Sequence, residues 1–339
     1  MKKTEKVKVL IVDDSIVVRE VMREILSSDD EIEVVGEAEN GKVAIEKVVE
    51  TKPHIVLMDI MMPVMDGLEA TKRIMEVHPV PILIMSSLIE DPPSGRFTFK
   101  AINSGAMDVL KKPRKILEGV EEGVKKYIIE KVKYIARTGV FKIERGKKLF
   151  TVSGGKKKIL LIGASAGGPR AVLTVLKGLK RDFPSPVVVA QHMAPDFVEG
   201  FSRWLQEETS FNVCLVKKKE VLRGGMVYVP CGGCHAVIEE GEILAERSTN
   251  PMEITPSVDI LFNSAARFFG SGCVGVILSG IGKDGAEGAR EILRMGGLVL
   301  AQDESSSTVY GMPRAAVEIG GVKTVLPLFE IPDYLNSIF

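Results

Sequence analysis

Residues Lys158–Arg170 read KILLIGASAGGPR. Ile159–Gly163 is almost wholly apolar, the pattern of a strand buried on both faces. Gly163-Ala164-Ser165-Ala166-Gly167-Gly168 follows, and after Pro169 the apolar spacing of Ala171–Leu179 predicts a helix. A serine flanked by glycines between strand and helix has the layout of a nucleophile elbow. The glycines permit a tight turn, and the helix amino terminus offers unpaired N–H groups to a developing oxyanion. A phosphate-cradling loop reads equally well on this stretch alone. Either way, the stretch predicts an α/β domain.

The chain has 339 residues, enough for two domains, with 45% hydrophobic and 27% charged residues, as in soluble globular proteins. Its formal net charge is zero, which argues against a nucleic-acid footprint. No apolar run reaches membrane-spanning length, and the first strand meets Asp13 and Asp14 before a signal-length core develops. A cytoplasmic location is expected, with no membrane insertion. The four cysteines are expected to be free thiols.

The first 125 residues alternate apolar strands with helical periodicity, predicting a doubly wound, five-stranded parallel sheet. Asp13, Asp14, Asp59, Ser86 and Lys112 all fall at carboxyl ends of strands, which converge on one crevice in such a sheet. Three carboxylates there repel one another without a cation, and an oxygen-only set suits Mg²⁺. The chemistry this suggests is phosphoryl transfer onto one carboxylate. The pieces VDDS, MPVMDG and KKP, with strands ending at Asp59 and Ser86, resemble the response-regulator receiver domain, of which CheY is an example. The resemblance implies Asp59 as phosphoacceptor. It implies Asp13, Asp14, Asp59 and the Met61 carbonyl as Mg²⁺ ligands, Ser86 as the switch hydroxyl and Lys112 as the phosphate-binding lysine.

Residues 126–155 are expected to be a closing helix running into a basic, solvated linker. Residues 156–339 again predict a mainly parallel, doubly wound α/β domain. Ser165, His192 and Asp284 each follow a buried strand directly or within one loop. A serine needs a base to remove its proton, and a histidine base needs a carboxylate to fix its tautomer. A nucleotide loop has no use for the other two residues. The order Ser, His, Asp differs from that of α/β-hydrolases.

The motifs GASAGGP, AQHM, PSVDILFNSAA, SGIGKDGAEG and AQDESSSTVYGMPRAA resemble the catalytic domain of the CheB family, chemotaxis protein-glutamate methylesterases. With the receiver motifs, the resemblance covers nearly the whole chain. It implies Ser165 as nucleophile, His192 as general base and acid, Asp284 as its partner, and the Ile281 backbone N–H at the oxyanion site. Where the family commonly has Thr, this chain has Ala166, which takes one side-chain donor from the elbow.

The activity implied is hydrolysis of receptor glutamate methyl esters, with deamidation of receptor glutamines, and no cofactor for the ester reaction. The implied partners are methyl-accepting chemotaxis receptors and the histidine kinase CheA, the enzyme itself being a monomer. The domain order implies that the receiver controls access to Ser165 until Asp59 is phosphorylated. Cys231-Gly-Gly-Cys234-His235 matches a haem-attachment pattern, and its C-x-x-C a redox or half-zinc pattern. Haem attachment requires export, and no second pair at zinc spacing is present, so no cofactor is expected there.

Overall fold

The computed structural model describes residues 6–86, 96–113, 120–138, 158–249 and 254–339. The chain divides into two compact units, Met1–Phe141 and Lys142–Phe339. No helix among the described residues is long and apolar enough to cross a membrane.

In the first unit, the strands are β1 (Val7–Val12), β2 (Ile32–Ala38), β3 (Ile55–Asp59), β4 (Ile82–Ser86) and β5 (Asp108–Lys111). They alternate with helices α1 (Ile16–Ser27), α2 (Gly41–Thr51), α3 (Gly67–Val77), α4 (Arg96–Asn103) and α5 (Glu122–Thr138). The sheet order is β2-β1-β3-β4-β5, every pairing parallel. The expected five-stranded parallel sheet is therefore present. The order reverses between β1 and β3, opening a crevice at their carboxyl ends.

The closing helix expected at the start of residues 126–155 is α5, held by Ile128, Val132 and Ile135, which are fully buried in the core beneath β1 and β3. The rest of that expected linker, up to residue 155, lies outside the described residues.

The second unit contains β6 (Ile159–Ala164), β7 (Val187–Gln191), β8 (Asn212–Val216), β9 (Lys219–Val221), β10 (Met226–Pro230), β11 (Cys234–Glu239), β12 (Glu242–Arg247), β13 (Cys273–Ile277), β14 (Leu298–Gln302) and β15 (Thr324–Leu326). Its α-helices are α6 (Gly168–Gly178), α7 (Val198–Glu208), α8 (Val258–Phe269), α9 (Ala286–Arg294), α10 (Met312–Glu318) and α11 (Ile331–Ile338). Seven strands form a parallel sheet in the order β15-β14-β13-β6-β7-β10-β8. The chain winds outward from β6 through β7, then returns to the other side at β13. The switch point thus lies at β13-β6-β7, the strands that carry the three candidate residues. Strands β11, β12 and β9 form a separate antiparallel sheet that the sequence reading did not anticipate.

Helix α8 packs directly over this switch point. Val258, its first residue, is fully buried. A Cβ on Gly163 would lie 2.4 Å from Val258 Cγ1, and one on Gly285 2.7 Å from it. Both glycines make room for the helix start. Gly163→Ala should therefore push α8 outward and cost about 1–3 kcal/mol through overpacking. Urea unfolding of the full chain checks this; an unchanged midpoint would mean the helix yields freely.

Candidate active site and phosphoacceptor site

Three strand ends meet in the second unit. Ala164 pairs with Gln191 across β6 and β7, and the His192 N–H continues that ladder by donating to the Ala164 carbonyl at 2.9 Å. On the other side, the Ser165 N–H donates to the Ser279 carbonyl at 2.9 Å. Ser165 and His192 thus each lie one residue beyond adjoining strands. The left-handed residue of the turn is Gly167, with φ 72°, and not Ser165. A Cβ there would lie 2.4 Å from that of Thr308. The glycine two positions after the serine, rather than strain at the serine, makes this turn.

Side chains tie the turn down. Gln191 Nε2 donates to the carbonyls of Ser165 at 2.8 Å and His192 at 2.9 Å. Ser279 Oγ donates to the Ala166 carbonyl at 2.6 Å and accepts from the Val309 N–H. Gln302 Oε1 in turn accepts from the Ser279 N–H at 2.9 Å. Neither the Ala166 nor the Ile281 N–H has a hydrogen-bond acceptor among the described residues.

His192 Nε2 lies 2.8 Å from Asp284 Oδ2, both side chains largely buried. Asp284 is held by more than the imidazole. It accepts from Ser257 Oγ at 3.0 Å, the Val258 N–H at 2.7 Å and the Asp259 N–H at 3.0 Å. These are the cap and first turn of α8, where unpaired N–H groups and the helix dipole favour an anion. Burial pushes the Asp284 carboxyl up, but the His192 hydrogen bond and charge, with the Asp259 and Val258 N–H groups, hold it down at about 2. Ser165 Oγ makes no hydrogen bond to His192 among the described residues; strand register is what makes them neighbours. Ser257 and Asp259, within PSVDILFNSAA, are functional neighbours that the motif alone does not assign. The signal was there: a serine before apolar residues at helical spacing marks a helix start.

The first unit gathers its polar strand ends in a similar crevice. Candidate ligand atoms of Asp13, Asp14 and Asp59 all lie within 4.8 Å of one another. Lys112 Nζ, itself buried, lies 2.9 Å from Asp13 Oδ2 and 2.9 Å from Asp59 Oδ1. Burial, against the Lys112 charge and hydrogen bond, pushes the Asp59 carboxyl up to about 6; burial raises Asp13 as well. Asp59 Oδ2 is buried with no hydrogen-bond partner. An oxygen-only set with an orphaned carboxylate oxygen fits a small, hard divalent cation. Ser86 is buried at the end of β4, its hydroxyl accepting from Thr98 Oγ1 of α4 at 3.3 Å. Sequence reasoning missed Thr98, which only the packing of α4 brings to the crevice. Met61 follows β3 in the same loop, its side chain exposed.

These features define a receiver module with a cluster of three acidic residues in its crevice, joined to an α/β module with a strand-end serine, histidine and aspartate. A profile for CheB methylesterase matches residues 160–335, and one for the response regulator receiver domain matches residues 9–122. "Protein-glutamate methylesterase/protein-glutamine glutaminase 2" of Anaeromyxobacter dehalogenans is 39% identical over 338 residues, covering 98% of this chain and 97% of that one. "Protein-glutamate methylesterase/protein-glutamine glutaminase" of Thermotoga maritima is 34% identical over 340 residues, covering 98% of each. The crystal structure of the Thermotoga maritima CheB methylesterase catalytic domain matches 54% of this chain and 98% of its own, with 35% identity and a TM-score of 0.50. The chain belongs to the CheB methylesterase family and is an enzyme carrying a receiver domain.

Two outcomes follow from the electrostatics. The Asp284 carboxyl titrates lower in the folded chain than its ordinary value of 3.8. Its charge therefore stabilises the fold above about pH 4, and that contribution is lost as the pH falls toward about 2. Asp284→Asn should remove this part of the acid slope, seen as the difference between the two proteins' unfolding free energies across that window. In the first unit, Mg²⁺ should stabilise the fold by about 2.7 kcal/mol at a hundredfold excess over its dissociation constant, read as a higher thermal midpoint of the full chain. Asp13→Asn should abolish most of that rise.

Proposed function

We propose that the second unit hydrolyses glutamate methyl esters on chemotaxis receptors through an acyl-enzyme on Ser165. The observation that carries this reading is the His192–Asp284 hydrogen bond of 2.8 Å at the strand end adjoining Ser165. With Nε2 engaged by Asp284, Nδ1 is the ring nitrogen that takes the serine proton. Ser165 Oγ then attacks the γ-carbonyl, and His192 returns the proton to the departing methanol. Water, deprotonated by His192, attacks the acyl group, and Ser165 recovers its proton as the glutamate carboxylate leaves. Asp284 stays ionised throughout and stabilises the imidazolium. The unengaged N–H groups of Ala166 and Ile281 are the donors proposed for the tetrahedral oxyanion. A receptor glutamine would follow the same route with ammonia leaving.

In the first unit, the proposal assigns Asp59 as phosphoacceptor and a histidine kinase of the CheA type as donor. Asp13, Asp14, Asp59 and the Met61 carbonyl would hold Mg²⁺, which when bound neutralises charge on the incoming phosphoryl group. Lys112 and Ser86 would take the new phosphoryl oxygens, replacing their present partners Asp13 and Thr98. The protein works in the cytoplasm, where the receptor's methylated helices lie, and its role is adaptation.

Methanol release from methylated receptor membranes tests the reaction. Ser165→Ala and Asp284→Asn should each lower it by about 10⁴-fold or more with the fold retained. Release that persists in Ser165→Ala would sink the acyl-enzyme. Rapid turnover of small acetate esters with no receptor preference would instead point to a general esterase. Asp59→Ala should leave basal release intact but unresponsive to a small acyl phosphate.

A further inference from the structure

The loop between β10 and β11 is not used by ester hydrolysis, yet it braces both sides of the catalytic crevice. Its sequence is Cys231-Gly232-Gly233-Cys234-His235. On one side, a Cβ at Gly232 would lie 2.2 Å from the Pro195 carbonyl, in the segment that follows His192. On the other, His235 Nδ1 accepts from the Ser257 N–H at 3.0 Å, and Ser257 Oγ donates to Asp284. The two thiols meet within this loop, Cys231 Sγ lying 2.8 Å from Cys234 Sγ. A bonded pair is about 2.05 Å apart, so closure requires a movement of less than about 1 Å. Gly233, with φ 75°, supplies the left-handed residue that brings the two cysteines face to face. The Cys234 N–H donates to the Cys231 carbonyl at 3.1 Å, which holds that turn closed.

We propose that Cys231 and Cys234 are a redox-active dithiol, converted reversibly to an intraloop disulfide by exchange with a low-molecular-weight disulfide. The two cysteines differ in access. Cys231 is partly exposed, whereas Cys234 is buried. Burial, then its hydrogen bond with Cys231, pushes the Cys234 thiol up to about 11. Cys231 is therefore the sulfur that attacks the incoming disulfide, releasing one small thiol and forming a mixed disulfide. Cys234 then loses its proton and displaces the second small thiol from Cys231. Both protein protons and two electrons end on the two released thiols, and one S–S bond replaces another. The other two cysteines are far less suited: Cys273 is fully buried in β13, with its thiol pushed up to about 12 by burial, and Cys214 is separate from both.

The test uses the full chain, equilibrated with excess glutathione disulfide, alkylated under denaturing conditions and mapped by mass spectrometry. The expected product has two of its four cysteines joined, Cys231 to Cys234, with Cys214 and Cys273 alkylated and the link removed by dithiothreitol. C234S should accumulate glutathione on Cys231. C231S should acquire glutathione at Cys234 about tenfold or more slowly. Four free thiols after equilibration, a link involving another cysteine, or equal reactivity of the two variants would overturn the proposal. The wild-type map needs no variant to fold.

Discussion

A carboxylate buried beside a histidine is costly unless further donors share its charge. In the second unit the first turn of α8 shares it. Asp284 receives the Ser257 hydroxyl and the Val258 and Asp259 N–H groups as well as the imidazole. Asp259, the second residue of the helix, is itself half-buried and fixed, its Oδ1 accepting from the Gly288 N–H of α9 at 2.7 Å. Burial first, with the neighbouring Asp284 charge behind it, raises the Asp259 carboxyl. One carboxylate is thus held low by the helix start while the next is pushed the other way. The orientation of His192 depends on where α8 begins, and that depends on the small residues at Gly163 and Gly285 against Val258.

The two units use the same kind of sheet edge for opposite electrostatic ends. Asp59 is a buried carboxylate and Asp284 a half-buried one, each beside a reverse in strand order. Asp59 has the Ile60 N–H and Lys112, but it shares that lysine with Asp13, a second buried carboxylate. Its carboxyl is pushed up to about 6, while that of Asp284 is held at about 2. Asp59 is the more deeply buried of the two, and Asp284 has more donors. A site short of positive charge suits an incoming cation and an activated phosphoryl group; a site already saturated with donors suits a fixed charge beside a base.

Much of this was legible because buried parallel strands are apolar runs, so a polar residue at a run's end stands out. Asp13, Asp59, Ser86, Ser165 and His192 all announce themselves that way. The donors around Asp284 did not, because Ser257 and Val258 lie more than twenty residues away and meet it only once α8 docks. Thr98 is hidden for the same reason. The antiparallel sheet was missed because β9 is three exposed residues with no alternation to read. The closing helix was legible despite its many charges because Ile128 and Ile135 mark an apolar stripe, and both are fully buried with Val132.

The contrast in hydrogen bonding also sets what each site can do in time. The Asp284 cradle is complete in the folded chain, the arrangement in which preorganised dipoles stabilise a charge without reorganisation. Among the described residues the receiver crevice is incomplete: Asp59 Oδ2 has no donor, and the Ser86 hydroxyl has only a long bond from Thr98. Groups held this loosely can change partners when a stronger acceptor is placed between them, and a phosphoryl group brings three strong acceptor oxygens. The site in one unit is therefore fixed by its donors, while the site in the other has room for a second arrangement.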